Sequence, residues 1–344
     1  MRHWIKTLTA CASAAFLGAA VPARANETDN FTCRGRLTRD STEAVDAFLN
    51  ARIAAAVAKA NARGAKCGVA CLMRLLQQEV GGSVMKPPTF VPRAKLIKSI
   101  ERSADVERCH LEFRDTIYGA HKYNHPWLLP FLGRAILVAD SIRLSGRVVG
   151  LDKLQHFLRE GLGHWRDTVD GMDIATSMAN ELGSPGAWFG WTEYGLKGLS
   201  VSGVLAYADL AAEYSGYRFW RDLLSIGGAG AAIAGGSDGE PFVPQRPISL
   251  AAYVNDAWDE AINCSTFEKD LAKEVDTALR ARGLACPIVD CRPLAQLPDA
   301  RLYVNPACLV SAAESQGAQQ AYVADRHNNS TAPMTWTRAD QLTW

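Results

Sequence analysis

Gly150-Leu151-Asp152-Lys153-Leu154-Gln155-His156-Phe157-Leu158-Arg159-Glu160, followed by Glu193 and then by Asp209 with Glu213, is the stretch whose reading decides the fold. A helix is predicted from Leu151 to about Trp165, and a second, longer one from Leu199 to Leu224. Side chains four residues apart on a helix lie one above the other, so His156 and Glu160 converge on the first helix, as do Asp209 and Glu213 on the second. Asp152 and Glu160 are separated by about 12 Å of helix rise, too far for both carboxylates to bind one ion directly. Asp152 also has a local explanation, because Asp152-x-x-Gln155 after Gly150 has the form of a capping box.

On the second helix, Ser202, Leu205, Asp209, Glu213, Gly216 and Trp220 are predicted to share a face, with Asp209 at the margin of the apolar stripe. A carboxylate placed there must find a partner or raise its pKa, which is what a catalytic or metal-binding group needs. Gly216 on the same face would let another backbone or a ligand come close. Glu193 sits among Trp188, Trp191 and Tyr194, a composition suited to a pocket wall. Asp256, Asp259 and Glu260 around Trp258 are read as the polar face of a helix, with Glu260 a reserve candidate. His164 and Asp167 lie farther along the first helix, and His121 and His125 are read as loop residues.

Working outward, Asp40-Ser41-Thr42-Glu43 opens an amphipathic helix carrying Val45, Phe48, Leu49, Ile53 and Val57 as far as Gly64. Further helices are predicted for residues 67–80, 92–102, 172–182, 249–263 and 267–282, and the best strand signal is Arg301 to Val304. The expected fold is mainly α, an irregular multi-helix bundle with a disulfide-linked C-terminal region. The expected divisions are a signal peptide over residues 1–25, an N-terminal helical region over 26–125 and a motif-bearing core over 126–226. A cysteine-containing helical region over 227–311 and a polar tail over 312–344 follow, with glycine-rich residues 227–239 as a flexible connection.

The signal-peptide reading rests on Arg2 and Lys6, the apolar run from Ala12 to Val21, and the small-x-small pattern Ala23-Arg24-Ala25. Cys11 precedes most of that run, which argues against a lipobox. Cleavage near Ala25 removes three basic residues, Arg2, Lys6 and Arg24, and no acidic one, so the formal charge goes from +1 to −2. Near-neutrality excludes a nucleic-acid partner, and no run of about 18 apolar residues provides a transmembrane segment in the mature chain. Eight cysteines then remain, Cys33, Cys67, Cys71, Cys109, Cys264, Cys286, Cys291 and Cys308. An even count in an exported chain favours disulfides over zinc pairs at Cys67-x-x-x-Cys71 and Cys286-x-x-x-x-Cys291, although spacing does not fix the pairing.

At Asp152-Lys153-Leu154-Gln155-His156-Phe157, Glu193 and the Ser202-to-Asp209-Leu210 segment, the chain resembles uncharacterised bacterial periplasmic proteins with an Asp-Lys-x-x-His-Phe signature, some of them small lipoproteins. The Asp-Lys-x-x-His opening is also similar to that of VanZ-like proteins, which are membrane-embedded where this chain has no spanning run. The likeness covers roughly residues 145–225 and implies that Asp152, Lys153, His156, Glu193 and Asp209 belong to one site. It implies no particular activity.

The expected function is an exported hydrolase acting on an envelope component, with His156, Glu160, Glu193 and Asp209 around a water molecule. A divalent metal ion, where present, would be held by His156, Glu193 and Asp209. Lys153, Trp191 and Ser202 are the candidate substrate-binding residues, and Asp152 and Glu213 support the site. The alternative is a non-enzymatic periplasmic protein in which the same Asp, His and Glu side chains pair to join helices, leaving the surface for a protein partner. A serine nucleophile at Ser200 or Ser202 is disfavoured, since no strained-turn motif surrounds either residue.

Overall fold

The computed structural model describes residues 25–81, 94–121, 136–184, 192–195, 197–225, 232–236 and 240–310. The predicted leader up to residue 24, His125, Trp188, Trp191, most of the glycine-rich connection and the polar tail lie outside the described residues.

The architecture is mainly helical. Helix α1 (Thr42–Asn61) leads to α2 (Val69–Leu76), a π-helical turn (Gln77–Gly81) and α3 (Lys95–Arg102). Next come α4 (Leu151–Val169), α5 (Ile174–Leu182), α6 (Tyr207–Leu224) and α7 (Lys269–Ala281). Val45, Leu49, Ile53 and Val57 form the buried stripe of α1, as their spacing requires. One apolar cluster joins that stripe to α2, α3, α4, α6 and residues 248–258 and 291–308. Phe157 sits in its middle, with ring centroids 4.9 Å from Phe219, 5.3 Å from Trp258 and 5.9 Å from Tyr253.

Sheet is sparse and two-stranded. Strand β1 (Ala25–Glu27) pairs in parallel with β2 (Ile136–Val138), placing Glu27 opposite Val138. Strands β3 (Ser141–Leu144) and β4 (Arg147–Gly150) form a hairpin that feeds directly into α4. Its two-residue turn has positive φ at both Ser145 and Gly146, the backbone of a type I′ connection. Asp40 and Thr42 cap that turn, accepting N–H bonds from Gly146 and Ser145 at 2.6 and 2.7 Å.

Three predicted elements are corrected. The helix expected from Leu199 begins only at Tyr207, because the Ser202 hydroxyl accepts the Val204 N–H and Val204–Leu205 (β5) pairs with Thr266–Phe267 (β6). Residues 249–263 are not one helix but two 3₁₀ turns, Leu250–Ala252 and Asp256–Trp258. The side chains of Ser249, Asn255 and Asp259 each accept a backbone N–H two residues on, an alternative to the helical ladder. The strand expected at Arg301 to Val304 is a 3₁₀ turn over Ala300–Leu302.

The central crossing is α4 against α6. A Cβ on Gly216 would lie 2.0 Å from the Phe157 carbonyl oxygen, and one on Gly161 would lie 2.5 Å from Gly216, so the two backbones meet where only glycine fits. Trp220 locks the crossing by donating its indole N–H to the Leu158 carbonyl at 2.9 Å. This approach brings the ionisable faces of both helices together.

Four disulfides link Cys33 to Cys109, Cys67 to Cys71, Cys264 to Cys286 and Cys291 to Cys308. The zinc alternative at 67/71 and 286/291 is thereby excluded. Bridging residues 76 apart in sequence, Cys33–Cys109 restricts the unfolded chain most, worth about 4 kcal/mol by chain entropy. Such cross-linking fits an extracytoplasmic protein. Among the described residues, no helix is long and apolar enough to cross a membrane.

Candidate functional site

Ionisable side chains from α4, α5, α6, β1 and the 193–197 and 260 loops fill the seam around the crossing in three adjoining groups. The first surrounds Lys153. Its ammonium, with no exposed surface, lies 2.9 Å from Asp152 Oδ2, 2.6 Å from Asp209 Oδ1 and 2.5 Å from Glu260 Oε1. Burial opposes its charge, yet Asp152, Asp209 and Glu260 hold its pKa well above the ordinary lysine value. Glu27 faces the same group, and burial, then Glu260 and Asp209, push its carboxyl well up.

The second group centres on His156. Its Nδ1 lies 2.8 Å from Glu213 Oε1, and its Nε2 lies 3.7 Å from Asp209 Oδ2. Glu213 is fully buried, and the hydrogen bonds from His156 and His164 outweigh that burial to keep its carboxylate well below the usual range. An ionised carboxylate only accepts, so His156 donates to Glu213 through Nδ1, and its Nε2 faces Asp209. Burial alone would lower the imidazole pKa, but Asp209, Glu213 and Glu160 raise it well above the ordinary value. With 18% of its side chain exposed, the imidazole is the member of this group that reaches solvent most.

Glu193 completes that group. Its loop is tied to the end of α5 by N–H bonds from Glu193 to the Glu181 carbonyl and from Tyr194 to the Leu182 carbonyl, both at 3.0 Å. The carboxyl is 1% exposed and Oε1 has no hydrogen-bond partner. Burial, then Asp209 and Glu213, raise its pKa well above normal.

In the third group, Arg159 donates to Glu160 through Nε at 2.7 Å, Lys197 pairs with Glu181, and Lys197 also lies 3.8 Å from Glu160. His164 joins here, with Nε2 3.4 Å from Glu213 Oε2 and Nδ1 2.7 Å from Ser177 Oγ. The Ser177 hydroxyl in turn donates to Asp167 at 2.6 Å.

Among the described residues, four sets of three side chains offer ligand atoms within 4.8 Å of one another: His156/Glu160/Glu213, His156/Glu193/Asp209, Asp152/Asp209/Glu260 and Glu181/Glu193/Glu213. In three of them at least two carboxylates already sit in ion pairs. Lys153 occupies the Asp152/Asp209/Glu260 set, Arg159 and two imidazoles hold Glu160 and Glu213, and Lys197 holds Glu181. His156/Glu193/Asp209 is different, because Glu193 has no ion pair within 4.0 Å among the described residues. The 3.7 Å gap from Nε2 to Asp209 is also too long for a hydrogen bond. Two ligand atoms on a tetrahedral ion with ~2.0–2.1 Å bonds stand ~3.3 Å apart, so His156 Nε2 and Asp209 Oδ2 reach that spacing after a few tenths of an ångström of closure.

No family model, curated protein or solved structure matches this chain. The chemistry of the seam therefore follows from its own side chains.

The structure brings together Asp152, Lys153, His156, Glu160, Glu193, Asp209 and Glu213. Two roles are corrected and one residue is not placed. Lys153 is sealed among carboxylates and cannot meet a substrate anion, and Ser202 is fully buried, its hydroxyl donating to the Gly198 carbonyl at 3.1 Å. Trp191 lies outside the described residues. Asp152 forms no capping box: Gly150 is the N-cap, and the Asp152 carboxylate accepts from the backbone and ammonium of Lys153. Sequence reasoning placed Glu260 only in reserve and missed Glu27, Glu181, Lys197 and the partnership of His164. For His164 a signal existed, since it lies eight residues beyond His156 and so near the same helical face.

Proposed function

We propose that the chain is an exported, metal-dependent hydrolase of the bacterial envelope that holds one divalent cation between His156 Nε2, Glu193 and Asp209. The observation that carries this reading is the buried Glu193 carboxyl, which has no ion pair within 4.0 Å among the described residues and lies with His156 and Asp209 in one ligand-distance group. One nitrogen and two oxygen donors suit Zn²⁺ or Mn²⁺ and leave a coordination position open, as catalytic sites do. When bound, such an ion supplies a Lewis acid and a water of lowered pKa.

The surrounding side chains prepare the ligands. Glu213 orients His156 through Nδ1, the carboxylate–histidine arrangement that fixes a ligand's tautomer. Lys153 anchors Asp209 through Oδ1 and leaves Oδ2 for the cation. Glu160, held by Arg159, supplies negative charge beside the imidazole. The expected leader cleaved near Ala25 and the four disulfides support an envelope substrate. Lipid or cell-wall fragments are proposed on that location alone.

The non-enzymatic alternative is favoured by one feature, the complete pairing of Lys153, which a purely structural network would also display. Elemental analysis separates the two. One zinc or manganese per chain is expected in the wild type and none in His156→Ala or Glu193→Gln, with both variants still cooperatively folded. Metal-free wild-type protein with two variants that merely melt at lower temperature would overturn the metal site.

A further inference from the structure

We propose that Asp152, Asp209 and Glu260 form a second cation cage whose resident cation is the Lys153 ammonium. Lys153 is thus the positioning residue that confines a divalent ion to the His156 side of Asp209. Nζ stands 2.5 to 2.9 Å from one oxygen of each of Asp152, Asp209 and Glu260, distances that overlap the ~2.3–2.6 Å of calcium–oxygen bonds at their short end. The lysine is wholly buried, and no other basic side chain pairs with Asp152, Asp209 or Glu260 among the described residues, the partly exposed imidazole of His156 aside.

Glu27 adds a further buried carboxyl beside this group. It comes from a different element, β1, is 2% exposed, and its Oε2 has no hydrogen-bond partner. Three buried carboxyl groups therefore share one ammonium, with the Glu27 carboxyl beside them. An all-oxygen donor set of this kind prefers a hard cation over the borderline ions that suit an imidazole. Asp209 is common to both sites, one oxygen on Lys153 and the other toward His156, so the lysine sets the orientation of a ligand without touching the second ion.

Lys153→Met removes the charge and keeps an unbranched chain of similar length. In the absence of divalent ions this variant is expected to melt well below the wild type. Millimolar Ca²⁺ is expected to raise its melting temperature by several degrees and to bind at one equivalent per chain. Wild type should bind no Ca²⁺ in the cage and show no such rise, and Lys153→Met/Glu260→Gln should lose the response. A Lys153→Met protein that does not fold alone is refolded with Ca²⁺, and no recovery would overturn the proposal. So would a melting temperature indifferent to Ca²⁺, or an equal response in wild type. The zinc content of the wild type tests the His156 site separately. Calcium rescue in a chain that holds no zinc would leave the cage standing and remove the metal-dependent hydrolase, and the reverse pattern would remove the cage alone.

Discussion

Asp209→Asn is expected to abolish zinc binding and to destabilise the folded chain by ~3–5 kcal/mol at neutral pH, because one change breaks two buried charge contacts. Asp209 Oδ1 lies 2.6 Å from Lys153 Nζ, and Oδ2 faces His156 Nε2. The neutral amide leaves Lys153 with two of its three close carboxylates and presents an N–H₂ group to either a cation or an imidazolium. Glu213→Gln provides the comparison, since Glu213 touches His156 and His164 but not Lys153. It should weaken zinc ~10–100-fold through loss of ligand orientation. Denaturant titration and equilibrium dialysis with Zn²⁺ measure both quantities. Equal zinc affinity in wild type and Asp209→Asn would remove Asp209 from the ligand set.

The second large effect is on pH dependence. Burial pushes the Glu260 carboxyl up to about 7 from an ordinary value of 4.5, with Asp152 and Asp209 adding to it against the pull of Lys153. Between pH 4.5 and 7 the folded chain keeps a proton that the unfolded chain has released, so stability falls as pH rises through that window, by on the order of 3 kcal/mol from Glu260 alone. Glu27, Glu193 and Asp209 are raised as well and act in the same direction. His156 and His164, also raised, contribute stability that is present below about 6.5 and lost as pH climbs through their folded values.

Lowered carboxyls set the acid limb. Glu79 binds Lys59 and Lys95 at 2.5 and 2.6 Å, and despite burial its carboxyl lies at about 2. Its contribution is present above 4.5 and disappears as pH falls toward 2. Metal-free protein should therefore be most stable in mild acid and lose stability from pH 5 to 8. Zinc needs the deprotonated ligands, so it should reverse the slope and release protons on binding. Denaturation midpoints at pH 5 and pH 8, with and without Zn²⁺, give the comparison. A metal-free midpoint that rises across this range would contradict the buried-carboxyl account.

The seam was legible where chemistry and helical period coincided. His156 and Glu160 on one helix, and Asp209 and Glu213 on the next, announce themselves because four-residue spacing aligns side chains whatever the tertiary setting. Gly216 signalled a close approach, and Phe157 of α4 proved to be what approaches it. Glu27 carried no local signal, since a three-residue parallel strand has no period to read and its partner lies over a hundred residues away. Glu260 was placed in a helix because its apolar neighbours suit one. Asn255 and Asp259 redirect the backbone there through side-chain hydrogen bonds that periodicity does not register.

Lys153 shows the same limit from the other side. From sequence it reads as a group that meets a substrate anion, whereas the tertiary arrival of Asp209 and Glu260 encloses it and makes its burial tolerable. The disulfide pairing was open for a comparable reason, because chain proximity is set by the packing of the helices and not by cysteine spacing.

The most direct test is anomalous X-ray scattering at the zinc edge from crystals of the mature protein grown with Zn²⁺. One peak is predicted between His156 Nε2, Glu193 and Asp209, at ~2.0–2.2 Å from each donor atom. An empty gap closed by a direct His156–Asp209 hydrogen bond, or zinc seated only on surface side chains, would contradict the account.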